Sequence, residues 1–141
     1  MGPNMKSTVE VKEYGGEGIG GLLEAKEYAC LFLNFLPRLV PEKVTSMQKH
    51  TETDETFVLL NGKAMLFLAD GEEKPEHISC VKLEEGKSYT VPLGLWHAPV
   101  MSEDAKIFLV ENIGTVDANS PRLPLTEEQM ALVRELGKDF C

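Results

Sequence analysis

The chain has 141 residues, 43% hydrophobic and 26% charged, with 14 Lys and Arg against 23 Asp and Glu for a net charge of −9. This length predicts one domain that buries roughly 68–70% of the surface its unfolded form exposes, enough core to surround a ligand cavity. The acidity argues against nucleic acid and membrane partners, both of which call for basic patches.

At the N-terminus, Met1-Gly2-Pro3-Asn4-Met5 lacks the basic and apolar regions of a signal peptide. Val9 and Val11 alternate with charged residues, and the five glycines between Gly15 and Gly21 predict a loop or bend. From Tyr28 to Leu36 the run YACLFLNFL is apolar almost throughout. It reads as a strand buried on both faces, or one lying between the core and a second copy of the chain. Strands are then expected at Val44 to His50, Thr56 to Leu60, Lys63 to Ala69, Ile78 to Leu83, Ser88 to Val91 and Lys106 to Glu111. Asn61-Gly62 reads as a hairpin turn, and Asp70-Gly71 as a similar one. The longest apolar runs, as around Phe57-Val58-Leu59-Leu60, are far too short to span a bilayer. After Pro124, Thr126 and Gln129 form a capping box, and Met130, Leu132, Val133 and Leu136 form an apolar stripe that predicts a helix over 127–136. Cys30, Cys80 and Cys141 are odd in number and lack zinc-type CxxC spacing, which suits a reduced, cytoplasmic protein.

Chemistry concentrates around two of the three histidines. Gln48 and His50 alternate onto one strand face while Lys49 points away, and Glu55 opens the next strand. His97 follows a tight turn at Pro92-Leu93-Gly94. Two imidazoles, a carboxylate and an amide oxygen make a mixed N/O set for one divalent ion such as zinc, iron, manganese or nickel, with positions left open for water and substrate.

The spacing of these residues resembles that of the cupin superfamily. The second cupin motif (G, five residues, P-x-G, two residues, H, three residues, N) is matched by Gly86, Pro92, Gly94 and His97, with Met101 in place of the asparagine. In the first motif (G, five residues, H-x-H, three or four residues, E, six residues, G), His50, Glu55 and Gly62 match, Gln48 replaces the first histidine and the leading glycine is missing. A register with His50 first and Glu52 second leaves only two residues before Glu55 and is not preferred. The Gln-x-His variant is also similar to the zinc site of type I phosphomannose isomerases. His50 to Ala69 and Gly94 to Pro99 partly resemble segments of the ureidoglycolate lyases.

The resemblance implies an all-β cupin fold, a double-stranded β-helix or jelly-roll-like barrel with a short C-terminal α-helix. Residues 1–27 form an N-terminal extension and first strands, 28–118 the barrel, and 119–141 a linker and helix packed on the same domain. One divalent metal on Gln48, His50, Glu55 and His97 is implied, along with a small-molecule ligand and a homodimer. Phe57, Met65, Phe67 and Trp96 are the pocket-lining candidates, although barrel filling is the plainer reading for at least two of them. His77, Glu52, Asp54 and Tyr89 read most simply as solvated. Arg38 could pair a substrate carboxylate only if it turns inward. The function expected is isomerase, epimerase or lyase chemistry by Lewis-acid catalysis on a small oxygen-rich metabolite, and the alternative is a non-catalytic module that binds or senses a small ligand.

Overall fold

A computed structural model describes residues 9–140, so the expectations for Met1–Met5 and Cys141 concern residues outside the described part. Ten strands and one α-helix follow in chain order: β1 (Gly18–Glu24), β2 (Tyr28–Asn34), β3 (Ser46–Gln48), β4 (Glu55–Asn61), β5 (Ala64–Asp70), β6 (Glu76–Leu83), β7 (Ser88–Val91), β8 (Trp96–Met101), β9 (Lys106–Asn112), β10 (Arg122–Pro124) and α1 (Glu127–Gly137). They form two five-stranded antiparallel sheets, ordered β1-β2-β9-β4-β7 and β10-β3-β8-β5-β6.

Period-2 alternation builds the core between the sheets. Glu55, Phe57 and Leu59 of β4 turn inward, as do Ile107 and Leu109 of β9. They meet Ala64 and Leu66 of β5 and Met101 of β8 from the opposite sheet. The intervening residues of β5 and β8 (Met65, Phe67, Ala69, Trp96, Val100) make a second apolar cluster on the far side of that sheet, where Val133 of α1 covers it. The helix begins at Thr126, whose hydroxyl accepts from the Gln129 backbone N–H while Gln129 returns a bond to the Thr126 N–H.

Four local expectations need correction. Asn61-Gly62 does not close a hairpin, because β4 and β5 belong to different sheets. The turn is a corner, with Gly62 at φ +83° and so close to Ala105 that a Cβ would lie 2.7 Å from its Cα. Part of the glycine-rich loop is β1, held by pairing with β2 and carrying a bulge between Gly21 and Leu23. β8 was absent from the expected strands because Pro99 interrupts its pattern. Pro99 is accommodated because β8 pairs with β3 only at Gln48–His97, so its missing N–H removes no ladder bond there. Finally, β2 is half-buried rather than buried on both faces. Leu33 is enclosed, while Phe32 lies on the outer face, edge-on to Phe108 at 6.2 Å and beneath the Lys106 ammonium at 4.3 Å.

Candidate metal centre

The backbone brings the distant motifs together before any side chain is considered. Gln48 of β3 is the direct partner of His97 of β8. The Gly94 N–H donates to His50 O at 2.8 Å and the Leu93 N–H donates to Asp54 Oδ1 at 2.7 Å, stitching the turn before β8 to the loop after β3. Gly94 has φ +86°, a conformation that favours glycine. Glu55, at the start of β4 in the other sheet, faces Glu111 of β9.

On this frame His50 Nε2 and His97 Nε2 each lie 3.2 Å from Glu55 Oε1. All three residues are more than nine-tenths buried, and their candidate ligand atoms lie within 4.8 Å of one another. Two donors about 2.1 Å from a shared ion are separated by about 3.4 Å in a tetrahedron and about 3.0 Å in an octahedron, so the observed spacing is that of adjacent ligands. The outer ring nitrogens are also engaged. His97 Nδ1 donates to the Leu95 carbonyl at 3.1 Å, which leaves Nε2 as the ring nitrogen that faces Glu55. His50 Nδ1 meets Ser120 Oγ at 2.7 Å. Imidazoles fixed through one nitrogen and free at the other are the usual arrangement of metal ligands. Two imidazoles and one carboxylate suit zinc, iron(II), manganese or nickel, and the cluster can hold such an ion.

Without an ion, the same convergence shapes the titration of the cluster. Burial alone would raise the Glu55 pKa, yet the hydrogen bonds from His50 and His97 outweigh it and hold the carboxyl at about 2. His50 is pushed above the ordinary imidazole value, first by its hydrogen bond to Glu55 and against desolvation. Glu111 is pushed up to about 7 by burial, then by the Glu55 charge beside it.

Gln48 lines the same cavity, but both ends of its amide are engaged: Nε2 donates to Ser120 O at 3.1 Å and Oε1 accepts from Arg122 Nη2 at 3.3 Å. Lys49 points to the opposite face, 4.8 Å from the Trp96 ring. Of the aromatic and methionine candidates, only Phe57 lines the cavity. Met65, Phe67 and Trp96 sit beneath α1 in the second cluster, and the Trp96 indole donates to Gly71 O at 2.9 Å. The correction follows from strand geometry, since Trp96 precedes His97 and neighbouring residues on a strand point to opposite faces. His77 is exposed and meets Asp70 Oδ1 at 2.9 Å, while Asp54 serves the backbone.

Sequence reasoning missed Glu111 and Ser120. Parity offered a signal for Glu111, which continues the inward series of Ile107 and Leu109. No local pattern marks Ser120, which reaches His50 across 70 positions. The cavity holding these groups has a volume of about 640 Å³, ample for a small metabolite.

No protein-family model matches the chain. Among curated proteins it is 24% identical over 123 residues to ureidoglycolate lyase of Burkholderia cepacia, a match covering 84% of this chain and 64% of the enzyme's length. A cupin-2 domain protein of Shewanella frigidimarina NCIMB 400 superposes with a TM-score of 0.50 and 20% identity, over 70% of this chain and 84% of that one. HppE, solved as the Fe(II) protein, superposes with a TM-score of 0.52 and 18% identity, over 67% of this chain and 48% of that one. With its two antiparallel sheets, the protein has the cupin fold. In sequence it is similar to part of a ureidoglycolate lyase. Among the described residues, no helix is long and apolar enough to cross a membrane.

Proposed function

We propose that this protein is a metal-dependent cupin enzyme that acts on a small oxygen-rich metabolite by isomerase, epimerase or lyase chemistry. The observation that carries this reading is the approach of His50 Nε2 and His97 Nε2 to one oxygen of Glu55, both at 3.2 Å, on the buried floor of an open cavity. His50, Glu55 and His97 would hold one divalent ion, and Gln48 would add its amide oxygen through the lone pair that the bond from Arg122 leaves free. Such an ion supplies Lewis acidity, polarising a substrate oxygen and favouring loss of a proton from the adjacent carbon.

The chain's own residues do the rest. Ser120 and the Leu95 carbonyl fix the two imidazoles. Phe57, Leu31 and Leu109 line the cavity with apolar surface and limit water beside the reacting atoms. Glu111 places a second carboxyl on the wall, within hydrogen-bond reach of Glu55, where it can take or give a proton. Similarity to a ureidoglycolate lyase supports lyase chemistry as one form of this reading. A cytoplasmic homodimer belongs to the same proposal, with the outer face around Phe32 and Phe108 as the surface a second copy would cover.

The test is a proton-NMR screen of sugar phosphates, uronates and ureidoglycolate, run with and without chelator. Turnover that disappears on chelation and returns with a divalent ion is the expected result. Turnover indifferent to metal removal would contradict the mechanism, and binding without turnover of any substrate would favour the ligand-binding alternative.

A further inference from the structure

The floor of the cavity carries the buried His50, Glu55 and His97, whereas its exposed rim carries Arg38, Lys43 and Arg122. In a chain of net charge −9, three cations around one opening call for an explanation. Among the described residues none of the three forms a salt bridge, although Lys12, Lys87 and Lys138 elsewhere on the surface do. The rim acid beside them is Asp117, whose charge acts on Arg122.

Arg122 is held by neutral groups. Its Nη1 donates to Ser46 Oγ at 3.1 Å and its Nη2 to Gln48 Oε1 at 3.3 Å. A guanidinium has five N–H donors, so these bonds aim it without exhausting it. Arg38 is near enough to act electrostatically on Arg122, and the two like charges share one opening with no carboxylate bridging them. Planar forks in this setting match the geometry of carboxylate or phosphate oxygens.

Strand register sets how far such an anion lies from the chemistry. Arg122, Gln48 and His97 are successive partners across β10, β3 and β8. Neighbouring strands are about 4.8 Å apart, which puts Arg122 roughly 10 Å from His97 along the backbone. The guanidinium shortens that gap by reaching the Gln48 amide.

We propose that the cavity rim is an oxyanion subsite, in which Arg38 and Arg122, with Lys43 beside them, hold the carboxylate or phosphate of the substrate while its reacting oxygens face His50, Glu55 and His97. This rests on the reading of the cavity as the substrate site and names its substrate class: a small hydroxy or keto acid, or a sugar phosphate, with the anionic group a few bonds from the reacting carbon.

The full chain is titrated at low salt with glycolate, its uncharged counterpart glycolamide, and inorganic phosphate, by NMR shift perturbation, first in chelator and then loaded with zinc. In chelator, glycolate or phosphate is expected to bind at least about tenfold more tightly than glycolamide. Arg38→Gln and Arg122→Gln should each weaken that binding about tenfold or more, and the double variant should abolish it. Both arginines are exposed, so melting temperatures close to wild type are expected and are checked alongside. A preference for glycolate assigns a carboxylate substrate, and one for phosphate a phosphorylated substrate. Equal binding of glycolate, phosphate and glycolamide, or a double variant that binds like the wild type, overturns the subsite. Anion binding that exists only with zinc and ignores both arginines overturns it while leaving the metal reading intact. Arginine-dependent binding in a chain that takes up no zinc keeps the subsite and removes the metal reading.

Discussion

Ser120 and the Leu95 carbonyl settle what the two histidines can do, because each occupies an outer ring nitrogen and leaves Nε2 facing Glu55. Substitution of Ser120 by Ala should therefore lower metal affinity about 10–100-fold without altering the fold, as read by competition with a chelating dye. In chelated protein the same cluster sets the pH dependence of stability. Glu55, held at about 2 against 4.5 ordinarily, contributes above pH 4.5 and loses that contribution as pH falls toward 2. His50, raised from 6.5, contributes below pH 6.5 and loses its share as pH rises through its folded value. Glu111, raised from 4.5 to about 7, keeps a proton the unfolded chain has released, so its share declines as pH climbs from 4.5 through 7. The chelated protein should thus melt highest near pH 4.5 and lose stability as pH rises through 7, and Glu111→Gln should flatten the first part of that decline, between about pH 4.5 and 7. A wild-type Tm that keeps rising to pH 8 would contradict these assignments. The spacing of His50, Glu55 and His97 made them legible in the sequence, whereas Glu111 joins them through the β4–β9 pairing and Ser120 through the turn before β10.

Among the elements, those with their own local chemistry were the readable ones. The Thr126–Gln129 box marks the start of α1, and inward alternation marks β4 and β9. Elements that depend on a neighbour were not: β1 is a strand because β2 pairs with it, and β8 survives Pro99 because β3 hardly pairs there. Met65, Phe67 and Trp96 were placed on the wrong face for a related reason. Both faces of their sheet are covered, one by the opposite sheet and one by α1, so hydrophobicity alone names no side. Two substitutions separate these effects. Thr126→Ala should cost about 1 kcal/mol, lowering Tm by roughly 3 °C with metal uptake unchanged. Gly62→Val should cost more than about 2 kcal/mol, because a β-branched residue would occupy the left-handed region against Ala105; denaturant titration measures the loss.

At the scale of the molecule, the cupin fold explains why residues 48–55 and 92–97 share one cavity, but many chemistries occupy such folds. Particular function resides in what this chain adds: an N₂O cluster on the floor, a second carboxyl beside it and a cationic rim. The most direct test of the centre is the elemental content of protein purified without added metal, compared with His97→Ala after both are confirmed folded. The wild type should carry close to one zinc, iron, manganese or nickel ion per chain and the variant almost none. Equally little metal in both, with no uptake by the wild type when those ions are supplied, would contradict a metal centre at His50, Glu55 and His97.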